Sequence, residues 1–309
     1  QGAISLPARL FSDLVQTLPD GDVGLDLEHR TQTVRVQAGR SKASVKGIAA
    51  QDFPETPTLD EATVITFDPD ELALALRQAT MAASKDQSRL MLTGVYFHKT
   101  GDGPLTLAAA DGFRLSVVAL PGVSAPQGAW LVPAESLGVV AGLIGDESVE
   151  VTADDRRIAF DTGRARVTLQ QIELKFPDYQ QIIPDEWATR IAFNVADAVK
   201  ALKRTLVFAR DAAYLVKLNV QPDAGRVGLN ARSDETGDVA SELDVEGQGE
   251  ALETMLNAQF LLDALRACGT ARAVMEFRTA REPVVIREQG DHRFTHVVMP
   301  MRVGEYESV

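Results

Sequence analysis

The sequence is poor in the features that mark several common classes of protein. It contains one cysteine, Cys268, which excludes an internal disulfide. That cysteine falls on the apolar face of a predicted helix, which indicates a buried structural thiol and not a nucleophile. No apolar run approaches the roughly 18 residues of a membrane span, and no signal-peptide pattern is visible. Together these features predict a cytoplasmic protein.

Motifs of catalysis and of metal binding are also absent. There is no glycine-rich phosphate loop, no G-x-S-x-G elbow and no H-E-x-x-H pair. The four histidines are His29, His98, His292 and His296. They share no metal-ligand spacing, so we expect them at the surface or at strand ends. The acidic run 68–71 suits a helix start, and the run 154–157 suits a solvated hairpin turn. The sequence therefore predicts no cofactor, no metal and no catalytic residue.

Positive charge is scarce. The formal net charge is −13, from 31 Lys and Arg against 44 Asp and Glu. Such a balance argues at first against nucleic acid, because binding phosphates needs a basic footprint. The five predicted helices, however, carry six basic and six acidic residues. The acidic excess therefore lies on strands and loops, either by simple sampling or as a functional segregation.

What the sequence does contain is a repeat of two alternating types. A strand that runs into a helix start occurs at Pro7, Pro133 and Asn257, with steps of 126 and 124 residues. A second type, around Phe67 and Phe193, also recurs after 126 residues. A fixed period indicates one supersecondary unit used repeatedly, and a step of this length is that of a domain. The order B-A-B-A-B predicts duplicated domains, each an A unit followed by a B unit, with the first A unit absent.

Each unit has the pattern of a strand, a helix and two or three further strands. In the first B unit, Phe11, Leu14, Val15 and Leu18 recur at helical spacing and form one apolar stripe. Two of the helices are expected to carry proline in their first turn, where it is tolerated best. One helix cannot cover a four-stranded sheet, so two units must share a core. We therefore predict an α+β protein of paired βαβββ units, with helices on one side and antiparallel sheets on the other.

Four segments carry motifs that recur together in one known family. They are Ser88–Phe97, Ala109–Leu115, Lys175–Tyr179 and His296–Val303. In order and spacing they resemble the β subunit of bacterial DNA polymerase III, the sliding clamp. The resemblance implies the DNA-clamp fold, with three domains of two βαβββ halves each and a head-to-tail ring of two protomers. It places the second half of domain 1 at 1–58, domain 2 at 59–186, domain 3 at 187–303 and a C-terminal extension at 304–309.

The resemblance also implies a function. A sliding clamp is a processivity factor that encircles duplex DNA without reading its sequence. It tethers the replicative polymerase, the clamp loader, repair polymerases and ligase through a peptide-binding pocket, and it is not an enzyme. Two alternatives stay open at this point. One is a clamp paralogue with a specialised repair or drug-resistance role, and the other is an enzyme built on duplicated αβ domains.

Site residues follow from the resemblance, position by position. The implied peptide pocket comprises Leu92, Ala110, Gly112, Phe113, Arg114, Leu115, Pro177, Gln181, Ile182, Asn257, Phe260, Pro283, Val297, Val298, Met299, Pro300, Met301 and Arg302. The implied DNA-contacting residues are Arg9, Arg77, Lys85, Arg89, Lys200, Lys203 and Arg204. The implied dimer interface comprises Arg40, Lys42, Ala43, Val45, Val207, Phe208, Asp234 and Glu235. Phe113 and Gln181 depart from the His and Arg that are common in the family, which bears on peptide preference.

The first unit raises a separate expectation about assembly. Its helix carries an apolar stripe, and without an A unit no second helix would cover that stripe. Large exposed apolar patches make a surface sticky, and their loss of burial is comparable with the stability of a domain. We therefore expect the first ~55 residues to be loosely ordered and this chain to close rings poorly.

Overall fold

The computed structural model describes residues 2–54, 59, 63–210, 213–233 and 237–301. The chain divides into two compact units, residues 1–58 and 59–309. The strand pairs of the described residues are antiparallel, and five α-helices accompany them. This confirms the predicted α+β class. Asp234, Glu235 and Arg302, and the predicted extension 304–309, lie outside the described residues.

The N-terminal unit places one helix against a three-stranded sheet. Its elements are β1 (Ile4–Ser5), α1 (Ala8–Gln16), β2 (Val23–Glu28), β3 (Thr33–Ala38), β4 (Ser41–Lys46), β5 (Ile48–Ala49) and a 3₁₀ turn (Ala50–Asp52). The sheet order is β2-β3-β4, and β1 pairs with β5. Val34, Val36 and Val45 form its small core, because alternate residues of a strand face the same side. Phe11 and Leu14 pack against this core, yet no residue of α1 is buried.

The C-terminal unit begins with one pair of βαβββ halves. The elements are β6 (Thr63–Phe67), α2 (Pro69–Thr80), a 3₁₀ segment (Gln87–Leu92), β7 (Gly94–Lys99), β8 (Leu105–Ala110), β9 (Arg114–Leu120), β10 (Gly128–Pro133), α3 (Ala134–Leu143), β11 (Val149–Ala153), β12 (Arg157–Asp161) and β13 (Arg166–Gln170). One apolar core collects the inward residues of these strands and of both helices. Phe67, Phe97 and Phe160 are among its largest fully buried side chains.

A second pair of halves follows. The elements are a 3₁₀ turn (Gln180–Ile182), β14 (Thr189–Asn194), α4 (Val195–Ala209), β15 (Leu215–Gln221), β16 (Arg226–Ser233), β17 (Gly237–Asp244), β18 (Glu246–Gln248), β19 (Leu252–Asn257), α5 (Ala258–Ala267), β20 (Arg272–Phe277), β21 (Val284–Glu288) and β22 (Asp291–Val298). A second core contains Phe193, Leu202, Leu261 and Phe277.

The two halves of each pair exchange their first strands. β6 pairs with β11 and β10 pairs with β7; likewise β14 pairs with β20 and β19 pairs with β15. α2 packs on α3, and α4 packs on α5. The reciprocal exchange explains the repeat, since neither half can bury its apolar face alone. β9 also pairs with β22, so one nine-stranded sheet, β10-β7-β8-β9-β22-β21-β20-β14-β18, runs through this unit.

Local capping sets the helix starts. The Asp68 carboxylate accepts a hydrogen bond from the backbone N–H of Glu71 at 3.0 Å, which confirms the predicted role of that acidic run. Asparagine caps α4 and α5 in the same way. Pro7 and Pro133 occupy the N-cap position, one residue before the predicted first turn. Proline fits there because the amide of that residue has no partner within the helix.

Two other local predictions agree with the structure in outline. Asp154 lies in the turn between β11 and β12, where its carboxylate accepts from the backbone N–H of Arg156 at 2.8 Å. Cys268 lies directly after α5 and not within it, and it is partly buried. Burial raises the pKa of its thiol to about 12, as for a structural cysteine.

The expectation for the histidines is wrong at one position. His296 lies within β22, between β9 and β21, and is fully buried. Its side chain lies on the same face of β22 as Phe294 and Val298, which belong to the two apolar cores, because side chains alternate along a strand. His29 and His292 are exposed, whereas His98 is partly buried near the end of β7.

Candidate functional site

The floor of the predicted peptide pocket lies on the face of the nine-stranded sheet opposite the first core. Leu115 on β9 pairs with Val297 on β22, and both belong to one apolar cluster on this face. They are 2% and 1% exposed, respectively. Leu92 and Ala110 pack at the border of the cluster and are partly exposed. The structure therefore brings these four predicted residues together as an apolar floor, of which only Leu92 and Ala110 are partly exposed.

A wall beside this floor is formed by the segment that follows β13. Phe176 and Tyr179 insert into the apolar cluster and are 4% and 6% exposed. We call these two rings the plugs of the wall. Three predicted pocket residues of the same segment are exposed: Pro177 lies between the plugs in the chain, and Gln181 and Ile182 follow them. A wall that exposes two apolar residues and one glutamine, beside an apolar floor, suits an extended peptide with large apolar anchors.

The chain beyond β22 forms another border. The backbone N–H of Met299 donates to the carbonyl of Phe113 at 2.8 Å, and that of Met301 donates to the carbonyl of Met255 at 2.8 Å. Met299, Pro300 and Met301 are partly exposed. Pro283 also borders this region, since the next residue pairs with Val298. Flexible methionine side chains suit a surface that receives several peptides.

The turn before β9 carries the next predicted residues. The Asp111 carboxylate accepts from the backbone N–H groups of Phe113 and Arg114 at 2.9 and 3.0 Å. Gly112 has a φ of +97°, which a residue with a side chain rarely adopts. This turn leaves the Phe113 ring 45% exposed beside the pocket.

Arg114 is held by partners from two parts of the chain. Its guanidinium donates to the carboxylates of Asp111 and Asp263, each at 2.9 Å, and lies 4.3 Å from the centre of the Phe260 ring. Its side chain is 12% exposed. Arg114 therefore joins the turn before β9 to α5 and holds Phe260 at the border of the site.

Two predicted pocket residues require correction. Val298 is fully buried and belongs to the second core, because side chains alternate along a strand and Val297 takes the pocket face. Asn257 is 9% exposed, and its carboxamide oxygen accepts from the backbone N–H groups of Gln259 and Phe260. That interaction caps α5, so Asn257 supports the site and does not line it.

A cleft of about 720 Å³ adjoins the pocket. Its lining combines Phe113, Arg114 and Phe260 with Lys85 and Arg89, which the sequence assigned to DNA. A Cβ atom on Gly112 would lie 3.0 Å from the Arg89 guanidinium, so this arginine reaches the turn before β9. Hydrogen bonds from Ser88, and then from Arg89, lower the pKa of Asp86 beside it.

The cleft also contains residues that sequence reasoning missed. They include Met81, Gln259 and Asp263. Gln259 donates to Asp263 at 2.7 Å, one helical turn away on α5. That i, i+4 spacing is visible in the sequence, but nothing in it indicates that Asp263 meets Arg114 on another strand.

The predicted DNA-contacting residues are all exposed. They are Arg9 on α1, Arg77 on α2, Lys200, Lys203 and Arg204 on α4, and Lys85 and Arg89 in the connection before β7. Lys200 pairs with Asp197 at 3.2 Å and Arg89 pairs with Asp86 at 3.1 Å. Among the described residues, Lys203 and Arg204 have no ion-pair partner, in contrast to Lys200. The observed α-helices carry six basic and six acidic residues, as the sequence predicts.

The predicted dimer residues divide into accessible and buried ones. Arg40 and Lys42 are exposed, and Val207 on α4 is 64% exposed next to a partly exposed Phe208. The prediction is wrong for the side chain of Val45, which is 4% exposed and lies in the core of the N-terminal unit. Ala43 packs against the same core and is partly exposed, so Val45 offers only its backbone to a partner.

The described residues show neither a metal centre nor a membrane-spanning helix. Groups of three or more His, Cys, Asp or Glu that could hold a metal ion were not found there. Within the same residues, every helix is too short or too polar to cross a membrane.

The chain matches three family models in succession. They describe the N-terminal domain of the DNA polymerase III β subunit over residues 1–57, its central domain over residues 66–178, and its C-terminal domain over residues 180–302.

Comparison with whole proteins of known sequence or structure agrees with these family matches. The β sliding clamps of Synechococcus elongatus and Caulobacter vibrioides are each 30% identical to this chain over 98% of its length, and 82% and 83% of those proteins are covered. The crystal structure of the Bacillus subtilis sliding clamp superposes with a TM-score of 0.88 at 25% identity, covering 97% of this chain and 80% of that one. That of the Caulobacter crescentus β sliding clamp gives 0.86 at 29% identity, covering 97% and 82%.

Proposed function

This chain belongs to the DNA polymerase III β subunit family of sliding clamps, and we propose that it tethers replication proteins to duplex DNA through a peptide-binding pocket. The observation that carries the proposal is the apolar floor, which is partly exposed at Leu92 and Ala110, beside the exposed wall of Pro177 and Ile182. We propose the replicative polymerase, the clamp loader, repair polymerases and ligase as the proteins that present such peptides. The clamp acts by holding its partners in place and not by catalysis.

Two chemical features support an extended peptide as the ligand. The floor and the methionines offer apolar contact to large side chains such as Leu and Phe. Backbone and side-chain polar groups along the border, among them Gln181, can pair with a polar residue near the start of the peptide. Phe113 enlarges the apolar share of the site, so this clamp should favour aromatic and aliphatic anchors.

The test uses a hexapeptide with Gln near its start and Leu-Phe at its end. We expect the wild-type chain to bind it at roughly micromolar strength, about −8 kcal/mol. Pro177→Ala combined with Met301→Ala should weaken binding by roughly 100-fold, because each truncation removes about 1.4 kcal/mol of contact. Isothermal titration measures both constants.

A matched control changes exposed apolar residues elsewhere. Pro126 lies before β10 and Val139 lies on α3, where it is 60% exposed. Pro126→Ala with Val139→Ala should bind the peptide as the wild type does. Equal affinities for the pocket variant and the wild type would remove the pocket assignment.

DNA is proposed to face the helices. A clamp that slides must attract phosphates without reading bases, and contacts to the phosphate backbone carry no sequence information. The helices are neutral in sum while the whole chain is strongly acidic, so they repel DNA least. Lys203 and Arg204, which are exposed and have no ion-pair partner among the described residues, are the strongest candidates for phosphate contact.

A second copy of the chain is proposed to close the ring. Both β4 and β17 are terminal strands of their sheets within the described residues, so each offers unpaired backbone groups to a partner. β4 exposes Lys42 and Lys46, whereas β17 exposes Asp238 and Glu242. Strand pairing with opposite charges on the two edges suits a head-to-tail contact between protomers.

A further inference from the structure

A row of aromatic rings lies beneath the wall of the peptide pocket. Tyr96 and His98 project from the same face of β7, and their ring centres are 4.8 Å apart in a stacked arrangement. Phe176 stacks on Tyr96 at 5.2 Å. Tyr179 lies edge-on to Phe176 at 6.3 Å. The two plugs of the wall therefore rest on two rings of one strand.

One hydrogen bond joins two side chains of this aromatic row. The hydroxyl of Tyr179 lies 2.7 Å from Nε2 of His98. Burial lowers the pKa of His98 and raises the pKa of Tyr179 to about 12, so the pair is a neutral imidazole and a protonated phenol. Ring stacking tolerates sliding, whereas a hydrogen bond fixes a distance and an angle. The Tyr179–His98 bond is therefore the contact that sets where the plug sits.

The plug is tied directly to residues of the wall. The backbone N–H of Ile182 donates to the carbonyl of Tyr179 at 3.0 Å. Gln181 donates from its carboxamide to Asp178, the residue before Tyr179, at 2.9 Å. Pro177 lies between the two plugs in the chain. A displacement of Tyr179 therefore moves all three exposed wall residues.

We propose that His98 is a positioning residue for the peptide pocket: through its hydrogen bond to Tyr179 it holds the wall of Pro177, Gln181 and Ile182 at the distance from the floor that a peptide requires. This inference rests on the proposed function of the pocket. The peptide need not touch His98, which acts only through Tyr179.

The experiment is a double-mutant cycle on binding of the Leu-Phe hexapeptide. His98→Leu and Tyr179→Phe should each raise the dissociation constant about five- to tenfold, the range of one lost hydrogen bond. The double variant should bind no more weakly than either single variant, because the interaction is already lost in each. His98→Gln, which can still accept from or donate to the phenol, should restore affinity to within about twofold of the wild type.

Controls separate positioning from general loss of stability. Exposed His292 on β22 and 40% exposed Tyr214 give the matched changes His292→Leu and Tyr214→Phe, which should leave affinity unchanged. Thermal unfolding of each variant is measured alongside. If His98→Leu does not fold, the near-isosteric Tyr179→Phe and the His98→Gln variant decide the question alone.

The outcomes distinguish the two proposals. A wild-type chain that does not bind the peptide overturns the pocket and this inference together. A wild-type chain that binds, with variants that bind equally well, overturns the role of His98 only. Additive losses in the double variant, or a His98→Gln variant as weak as His98→Leu, would also overturn it, since either result means that the hydrogen bond does not act as the link.

Discussion

At the residue scale, His296 is a titratable side chain in the middle of a sheet. It pairs across strands with fully buried Ser116, and its two ring nitrogens have no hydrogen-bond partner among the described residues. Burial lowers the pKa of His296 to about 3, and the positive charge of Arg114 acts in the same direction. The fold therefore accepts this residue only as neutral imidazole.

The stability of the protein should depend on pH through His296. A histidine in the unfolded chain titrates near 6.5, whereas in the fold this one titrates near 3. Between these values the unfolded chain binds a proton that the folded chain does not, so the free energy of unfolding falls as the pH falls. The slope is about 1.4 kcal/mol per pH unit, or about 2 kcal/mol between pH 6.5 and 5.

Urea unfolding at several pH values measures this contribution. His296→Leu should remove it, so the stability of the variant relative to the wild type should rise steadily below pH 6.5. His292→Leu is the control, because it changes an exposed histidine of the same strand and leaves His296 in place. Parallel profiles for the His296→Leu variant and the wild type would show that His296 is not buried as described.

At the element scale, α4 concentrates the basic charge of the helices. Lys200, Lys203 and Arg204 lie on its exposed side, and Asp197 neutralises only the first of them. α5 covers the opposite, buried side of α4. These charged side chains are therefore free to contact solvent or a ligand, and they do not take part in the packing of the helix.

Reversing these three charges should weaken the hold on DNA. In equilibrium binding to duplex DNA, the affinity of the wild-type chain should fall as salt rises, because phosphate contacts release counterions. Lys200→Glu, Lys203→Glu and Arg204→Glu together should weaken binding at low salt and flatten this dependence by roughly two to three units of the log–log slope.

The control reverses three basic residues away from the helices. Arg156, Arg166 and Arg278 are exposed on turns and a strand, and their reversal gives the same net charge. This control should keep the wild-type salt slope. The same flattening in both triple variants would mean that overall charge, and not α4, governs the attraction.

At the scale of the whole molecule, the assembly that we propose depends on two strand edges and on the N-terminal unit. In that unit Leu10, Leu25 and Phe53 are 56%, 58% and 65% exposed. Such apolar exposure offers surface to a partner and weakens a small core. We therefore expect a dimer whose population falls on dilution, with early proteolysis before residue 58.

A charge swap tests the edges that we propose to meet. Lys42→Glu with Lys46→Glu places acidic residues on both edges, and like charges across an interface cost several kcal/mol. This variant should raise the dimer dissociation constant at least roughly 100-fold. Adding Asp238→Lys and Glu242→Lys to the same chain should restore dimers, since the two edges then carry opposite charges again. Light scattering after size exclusion measures the mass. Dimers that persist in the first variant would place the contact elsewhere.

The sequence by itself determined the features that arise from neighbours in the chain. Asp68 caps a helix whose amides lie three residues away, and the apolar stripe on α1 follows from helical spacing. The repeat of about 125 residues predicted the paired halves, and the motifs predicted the family. The sequence also contains the information that Val45 is buried where Lys42 is exposed, because alternation along a strand places the two side chains on opposite faces.

Only the tertiary structure decided how distant residues meet. Arg114 and Asp263 are 149 positions apart, and no local pattern couples them. His296 is buried because it lies on the face of β22 that packs against the apolar cores, and His98 meets Tyr179 because the wall folds back over β7. The pocket residues themselves stay a prediction until peptide binding is measured. The physical reason is common to all these cases: capping and periodicity depend on a few adjacent residues, whereas burial and long-range hydrogen bonds depend on which strands pair and which faces they cover.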